Sequence, residues 1–107
     1  MIFVETAHFV RVAASLFDDE GLRHLQERLL ADPVAGVLIP GAEGLRKLRV
    51  ELPGRGRRGG ARVICYWWTA QDRLYLLYAY AKNVQSDLTA DQVRRLAAVM
   101  RAETGNG

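Results

Sequence analysis

The spacing of apolar residues changes along this chain, and each change marks an element. Ile2 to Glu5 is a short apolar run that reads as an opening strand. Thr6 then offers a helix cap, with Phe9, Val10, Ala13, Leu16 and Phe17 on one face at helical spacing. Asp18, Asp19 and Glu20 start the pattern again, since acids favour the positive end of a helix. A second helix runs through Leu22, Leu25, Leu29 and Leu30 and ends before Pro33. Pro33 to Gly44 reads as a loop. From Leu45 the period becomes two: Leu48, Val50 and Leu52 take one face of a strand, and Lys47, Arg49 and Glu51 take the other.

Pro53 to Gly60 is a turn region, rich in residues that regular elements reject. Ala61 to Thr69 and Arg73 to Tyr80 are β-branched and aromatic runs, separated by Ala70, Gln71 and Asp72. Both are apolar on both faces, which predicts central strands covered on each side. The last helix is the best signed. Thr89 and Gln92 form a capping box, Leu88 and Val93 the matching staple, and Val93, Leu96, Ala97 and Met100 one apolar stripe. The predicted order is β-α-α-β-β-β-α. That is an α+β fold, a small antiparallel sheet with two N-terminal helices and one C-terminal helix packed on it. Residues 1–107 form one domain, long enough to bury a core without staples.

Charge changes this picture more than composition does. The net charge is only +3, yet Gly44 to Arg62 (GLRKLRVELPGRGRRGGAR) holds Arg46, Lys47, Arg49, Arg55, Arg57, Arg58 and Arg62 against the single acid Glu51. The front third is acidic on balance, so the two ends carry opposite signs. A cationic face on a small domain marks where a polyanion lands. A solvated hairpin kept basic for solubility is the bland alternative. Spacing argues against it. Lys47 and Arg49 point the same way from one strand, and Arg62 begins the next strand across a hairpin, so three cations converge on one patch. That suits a phosphodiester. Arg46, Arg55, Arg57, Arg58 and Tyr66 join as candidate RNA contacts, and Lys82 and Asn83 follow the third strand of the hairpin region.

Other chemistry is weakly signalled. Gly54, Gly56 and Gly59 spell G-x-G-x-x-G, but a strand follows them, so no helix N-terminus awaits a pyrophosphate. Cys65 is alone in VICYWW and reads as a buried, inert thiol. His8 and His24 lie on different predicted helices without a carboxylate at ligand spacing. No Ser-His-Asp or Cys-His set assembles. The start MIFVETAHF lacks a secretory apolar core, and no run approaches a membrane span, so a soluble, cytoplasmic protein with no membrane partner is expected.

GLRKLRV, the Gly- and Arg-rich loop ending GGAR, VICYWW, LYLLYAYAKN and SDLTADQ together resemble the RelE/ParE superfamily of bacterial toxins, nearest to HigB-type members of its RelE branch. The resemblance spans nearly the whole chain. It implies a RelE-like fold and the toxin of a type II toxin-antitoxin system, a ribosome-dependent mRNA endoribonuclease that inhibits translation. It also implies no metal or cofactor: the RNA 2′-hydroxyl attacks the adjacent phosphate, and the protein supplies charge stabilisation and proton transfer. Lys47, Arg49 and Arg62 match the family's phosphate-contacting triplet, and Lys82 and Asn83 match its strand-end site. The chain departs from the pattern at Arg49, where a Lys base stands, at Asn83, where an Arg acid stands, and near Thr89, where a catalytic Tyr stands.

The implied partners are the ribosome with its mRNA and a cognate HigA-like antitoxin with a helix-turn-helix DNA-binding domain. Two rival readings remain from this stage. One is a ParE-like inhibitor of DNA gyrase without nuclease chemistry, against which the converging Lys47, Arg49, Arg62 and Lys82 argue. The other is a non-catalytic RNA- or ribosome-binding domain, to which the three departures are relevant.

Overall fold

The structure is a computed structural model that describes residues 1–52 and 60–105. In chain order its elements are β1 (Ile2–Glu5), α1 (Ala7–Ala13), α2 (Asp19–Ala31), β2 (Val37–Leu38), β3 (Arg46–Val50), β4 (Ala61–Trp68), β5 (Arg73–Ala81) and α3 (Ala90–Thr104). The strands form one five-stranded sheet in the order β1-β5-β4-β3-β2. The expected α+β architecture is present: α1 and α2 pack on one face, and α3 packs on the other.

The caps explain where the helices begin. The Thr6 side chain accepts from the Phe9 amide, and the Asp18 side chain accepts from the Gly21 amide. Thr89 and Gln92 make the full reciprocal capping box of α3. The first helix is shorter than its apolar spacing suggests. It ends at Ala13, so Leu16 and Phe17 pack against the core from the turn that follows, while Val10 faces solvent.

Two features of the sheet differ from the all-antiparallel expectation. β1 pairs with β5 in parallel, Ile2 opposite Arg73 through Glu5 opposite Leu76, so the sheet is mixed. Its neighbour is far away in sequence and is fixed by docking: the Thr6 amide donates to the Leu76 carbonyl at 3.1 Å, and the Thr6 hydroxyl donates to the Leu77 carbonyl at 3.3 Å. The second feature is β2, formed within the expected loop by Val37 and Leu38 pairing with Lys47 and Arg46.

Two apolar layers sandwich the sheet. Phe9, Ala13, Leu25 and Leu29 meet Leu48, Val63, Cys65, Leu74, Leu76 and Ala79 on the α1/α2 side. Leu96, Ala97 and Met100 of α3 meet Leu45, Ile64, Tyr75 and Leu77 on the other. This double burial is why β4 and β5 read as apolar on both faces. Cys65 is buried, and burial pushes its thiol up to about 11, in keeping with an inert packing role. Among the described residues no helix is long and apolar enough to cross a membrane.

Alternation breaks once. Ile64 lies opposite Tyr78 but Cys65 lies opposite Leu76, so β5 carries one extra residue there. Such a bulge puts two successive side chains on one side. Leu77 and Tyr78 both join the α3 layer as a result. The phase of β5 is thereby reset before it reaches Tyr80.

Candidate functional site

The site grows from the register of three strands. Arg49 of β3 lies directly opposite Arg62 of β4, and Arg62 lies directly opposite Tyr80 of β5. Directly opposed residues point to the same face with Cβ atoms about 5 Å apart. The next row along the strands is Lys47, Ile64 and Tyr78. These residues share the face that α3 covers: Ile64, Tyr78 and Tyr80 belong to the α3 layer, and the cations Lys47, Arg49 and Arg62 lie at its margin. Lys47 lies beside the start of the helix, in a cleft that it shares with Leu88 and Val93.

Two like charges directly opposed across a strand pair oppose folding. A sheet that needed only stability would not put Arg49 against Arg62. Local rules broken in this way collect at functional sites.

The segment between β5 and α3 closes one side. Lys82 donates from its backbone amide to the Gly60 carbonyl at 3.0 Å, and its ammonium donates to the Ser86 carbonyl. Gln85 ties the segment down. It accepts from the Tyr78 hydroxyl at 3.2 Å and donates to the Asp87 carbonyl at 2.9 Å and the Gln92 side chain at 2.6 Å. Asp87 is thus presented to Lys47, whose ammonium donates to it at 3.0 Å, while the Leu88 amide donates to the same carboxylate oxygen at 2.8 Å. Lys47 first, then that amide, hold the Asp87 carboxyl below the usual carboxylate range.

Tyr80 is buried at the end of the Arg49–Arg62 row, with its ring 6.0 Å from that of Tyr78. Burial above all, with the Asp87 charge added, pushes its phenol up to about 12, and Arg62 opposes the shift. Gly60 makes the entry to β4 possible. Its φ is +87°, and a Cβ there would lie 3.0 Å from the Val50 carbonyl oxygen.

Of the residues picked from sequence, Lys47, Arg49, Arg62 and Lys82 come together here. Asn83 is exposed in the turn that follows β5. Arg46 does not join them. It lies opposite Cys65, on the α1/α2 face, and its guanidinium donates to the Gly36 carbonyl at 2.9 Å. Tyr66 has the predicted face but the wrong end, set against Gly44 and lining a cleft with Ala97 and Met100 of α3. Gly44, at φ +102°, leaves room for that ring, since a Cβ would lie 2.8 Å from it. Arg55, Arg57, Arg58 and the glycine fingerprint lie outside the described residues.

His8 stacks on Tyr78 with ring centroids 5.1 Å apart, and His24 lies 3.8 Å from Glu20 on the exposed side of α2. Sequence reasoning missed two members of the site. Tyr80 passed as core, and Asp87 was visible only inside the SDL block.

A mostly apolar cleft of about 400 Å³ lies between α1, β5 and α3, lined by Thr6, His8, Leu77, Tyr78, Leu96 and Val99 among others. Lys47, Arg49 and Arg62 do not line it. Lys47 and Asp87 instead border a smaller cleft of about 220 Å³ beside β2 and the start of α3. An open charged surface suits a long polymer better than a closed pocket does.

Comparison with known proteins agrees with this architecture. A solved structure of the E. coli toxin RelE, a double mutant in the free state, superposes with a TM-score of 0.55 at 12% identity. The match covers 92% of this chain and 95% of that one, which establishes likeness of fold. The family model described as "RelE toxin of RelE / RelB toxin-antitoxin system" matches residues 3–104, and with nearly its whole length accounted for, the chain belongs to the RelE toxin family.

Proposed function

We propose that this toxin is a ribosome-dependent endoribonuclease of HigB type that cuts mRNA and so stops translation. The observation that carries the reading is the pairing of Arg49 with Arg62, with Lys47 in the next row on the same face, at the margin of the α3 layer. In the reaction a 2′-hydroxyl oxygen bonds to the adjacent phosphorus and the bond from phosphorus to the 5′-oxygen breaks. The 2′-proton leaves to a base, and the departing 5′-oxygen takes up a proton. Negative charge builds on the phosphoryl oxygens between those events. Arg62, central in its row, is the transition-state stabiliser, since a guanidinium is always charged and meets two oxygens at once. Lys47 and Arg49 hold the phosphate, and Lys82 adds charge from the end of β5. The antitoxin is HigA-like, with a helix-turn-helix DNA-binding domain, and its acidic side would meet this basic surface.

The test is cleavage of a translated message in a reconstituted system, with ends mapped by primer extension. Naked RNA and Arg62→Ala run alongside. Cuts should need ribosomes, and Arg62→Ala should slow them about 100-fold or more. Its melting point should stay near that of the parent, because Arg62 is only partly buried. Intact message would sink the nuclease reading. Gyrase inhibition and ribosome pelleting at graded salt would then separate a ParE-like inhibitor from a non-catalytic binder.

A further inference from the structure

Among the described residues, one buried side-chain polar atom has no hydrogen-bond partner: the hydroxyl of Tyr80. Buried hydroxyls are nearly always paired, and an exception calls for a reason. Phenylalanine would fill the same space without the orphan. Its surroundings supply the reason. Tyr80 lies directly across from Arg62, which lies directly across from Arg49. The charged groups felt by its phenol are Asp87 and Arg62, and its aromatic neighbour is Tyr78. The Asp87 charge acts on the phenol, yet the hydroxyl makes no hydrogen bond. That carboxylate is held instead by the Lys47 ammonium at 3.0 Å and the Leu88 amide at 2.8 Å.

A carboxylate and a phosphate are both anionic oxygen acceptors. Asp87 therefore stands over the basic rows as an internal counterion, where an incoming phosphate would need to be. We propose that the Tyr80 hydroxyl is a hydrogen-bond donor reserved for the scissile RNA phosphate and masked by Asp87 in the free protein. The proposal rests on the ribonuclease reading and deepens it. The phosphate, drawn in by Arg49 and Arg62, takes Lys47 from Asp87. As the carboxylate gives way, the hydroxyl gains the partner it lacks. No proton changes hands at Tyr80. The phenol stays neutral, since burial and Asp87 keep its titration far above physiological pH. Its bond strengthens as charge gathers on the phosphoryl oxygen, which is how a preorganised donor favours a transition state.

Two variants and three readings test it: Tyr80→Phe and Asp87→Asn, with single-turnover cleavage on ribosomes, melting temperature, and binding to ribosomes carrying a message made uncleavable by a 2′-deoxy nucleotide. Tyr80→Phe should melt at or above the parent temperature, bind the uncleavable complex only a few-fold more weakly than the parent, and cleave about 100-fold more slowly. Asp87→Asn should bind that complex more tightly, because the competing charge is gone. Parental cleavage by Tyr80→Phe overturns the role of the hydroxyl. So does a rate loss matched by a lower melting point, which would mean that the hydroxyl serves the fold. Unchanged binding by Asp87→Asn overturns the mask. A parent protein that cuts nothing sinks the ribonuclease reading and this role together, whereas an active parent with an equally active Tyr80→Phe sinks the Tyr80 role alone.

Discussion

The face of the sheet beneath α3 is two surfaces on one set of strands. Toward one end, Leu45, Ile64, Tyr75 and Leu77 are sealed by Leu96, Ala97 and Met100. Toward the other, the same strands present Lys47, Arg49 and Arg62, outside the apolar α3 layer. The first half stabilises the molecule by removing apolar area from water. The second sets like charges side by side and buries a hydroxyl without a partner, both of which cost stability. The boundary is the start of α3. Its capping box at Thr89 and Gln92 ends the covering helix, and the segment just before it delivers Lys82 and Asp87 to the charges. Apolar packing and clustered charge are thus divided along one sheet, with a helix terminus near the divide.

The largest effect that sharpens the division should come from the sealed half. Met100 is 3% exposed in the last turns of α3, remote from the basic rows. Met100→Ala should lower unfolding free energy by about 2–5 kcal/mol, read by denaturant titration. The folded fraction should keep its cleavage rate below the new melting point. Arg62→Ala should do the opposite, losing rate and keeping stability. If Met100→Ala and Arg62→Ala each damaged both properties alike, the two halves would not be separable.

A smaller effect should come from the boundary itself. Thr89→Ala removes the hydroxyl that accepts from the Gln92 amide at 3.1 Å. Loss of an N-cap costs about 1 kcal/mol. Gln92 also accepts from the Thr89 amide at 2.9 Å and holds Gln85, so the segment carrying Asp87 should loosen with the cap. Amide hydrogen exchange should therefore speed up in residues 85–92 more than in the middle of α3. Uniform change along the helix would mean that the cap does not brace the site.

What the sequence revealed and what it hid follow the same physics. Helix starts were legible because caps are local: Thr6, Asp18 and Thr89 each act on an amide three residues on. The convergence of Lys47, Arg49 and Arg62 was legible because strand alternation and a hairpin suffice to place them. The same alternation puts Arg46 on the far face, against Cys65, where its charge helps a loop and not the site. Tyr66 shows the limit of reading faces alone. Four residues along a strand from Arg62 is about 13 Å, far enough to fall under α3.

Tyr80 was hidden by the bulge. Strict alternation would put Tyr75 and Tyr80 on opposite faces, yet the extra residue at Leu77 and Tyr78 brings both to the α3 side. Asp87 sits in an aperiodic segment held by side-chain bonds, which no period reports. The strand β2 and the parallel direction of β1 depend on partners distant in sequence, so local pattern could not supply them.

The smallest effect concerns the Lys47–Asp87 ion pair, which ties the basic half to the segment before α3. Asp87 titrates below the usual carboxylate range because Lys47, and after it the Leu88 amide, favour its charged form. A carboxyl with a depressed folded value adds stability above the unfolded value of about 3.8 and loses it as pH falls through the folded value. Below that window the contribution is gone. The Asp87 side chain is 65% exposed, so solvent screening caps the contribution at about 1 kcal/mol. Melting curves of the parent and Asp87→Asn should converge as pH falls below the ordinary carboxyl value of about 3.8 and separate as pH rises above it, with the parent higher, and added salt should narrow the gap. A gap that persisted unchanged in acid would assign the difference to the Leu88 amide bond and not to charge. The sign matters for the comparison: the Lys47–Asp87 pair that steadies the basic half is the one that, in the proposed reaction, an incoming phosphate would displace.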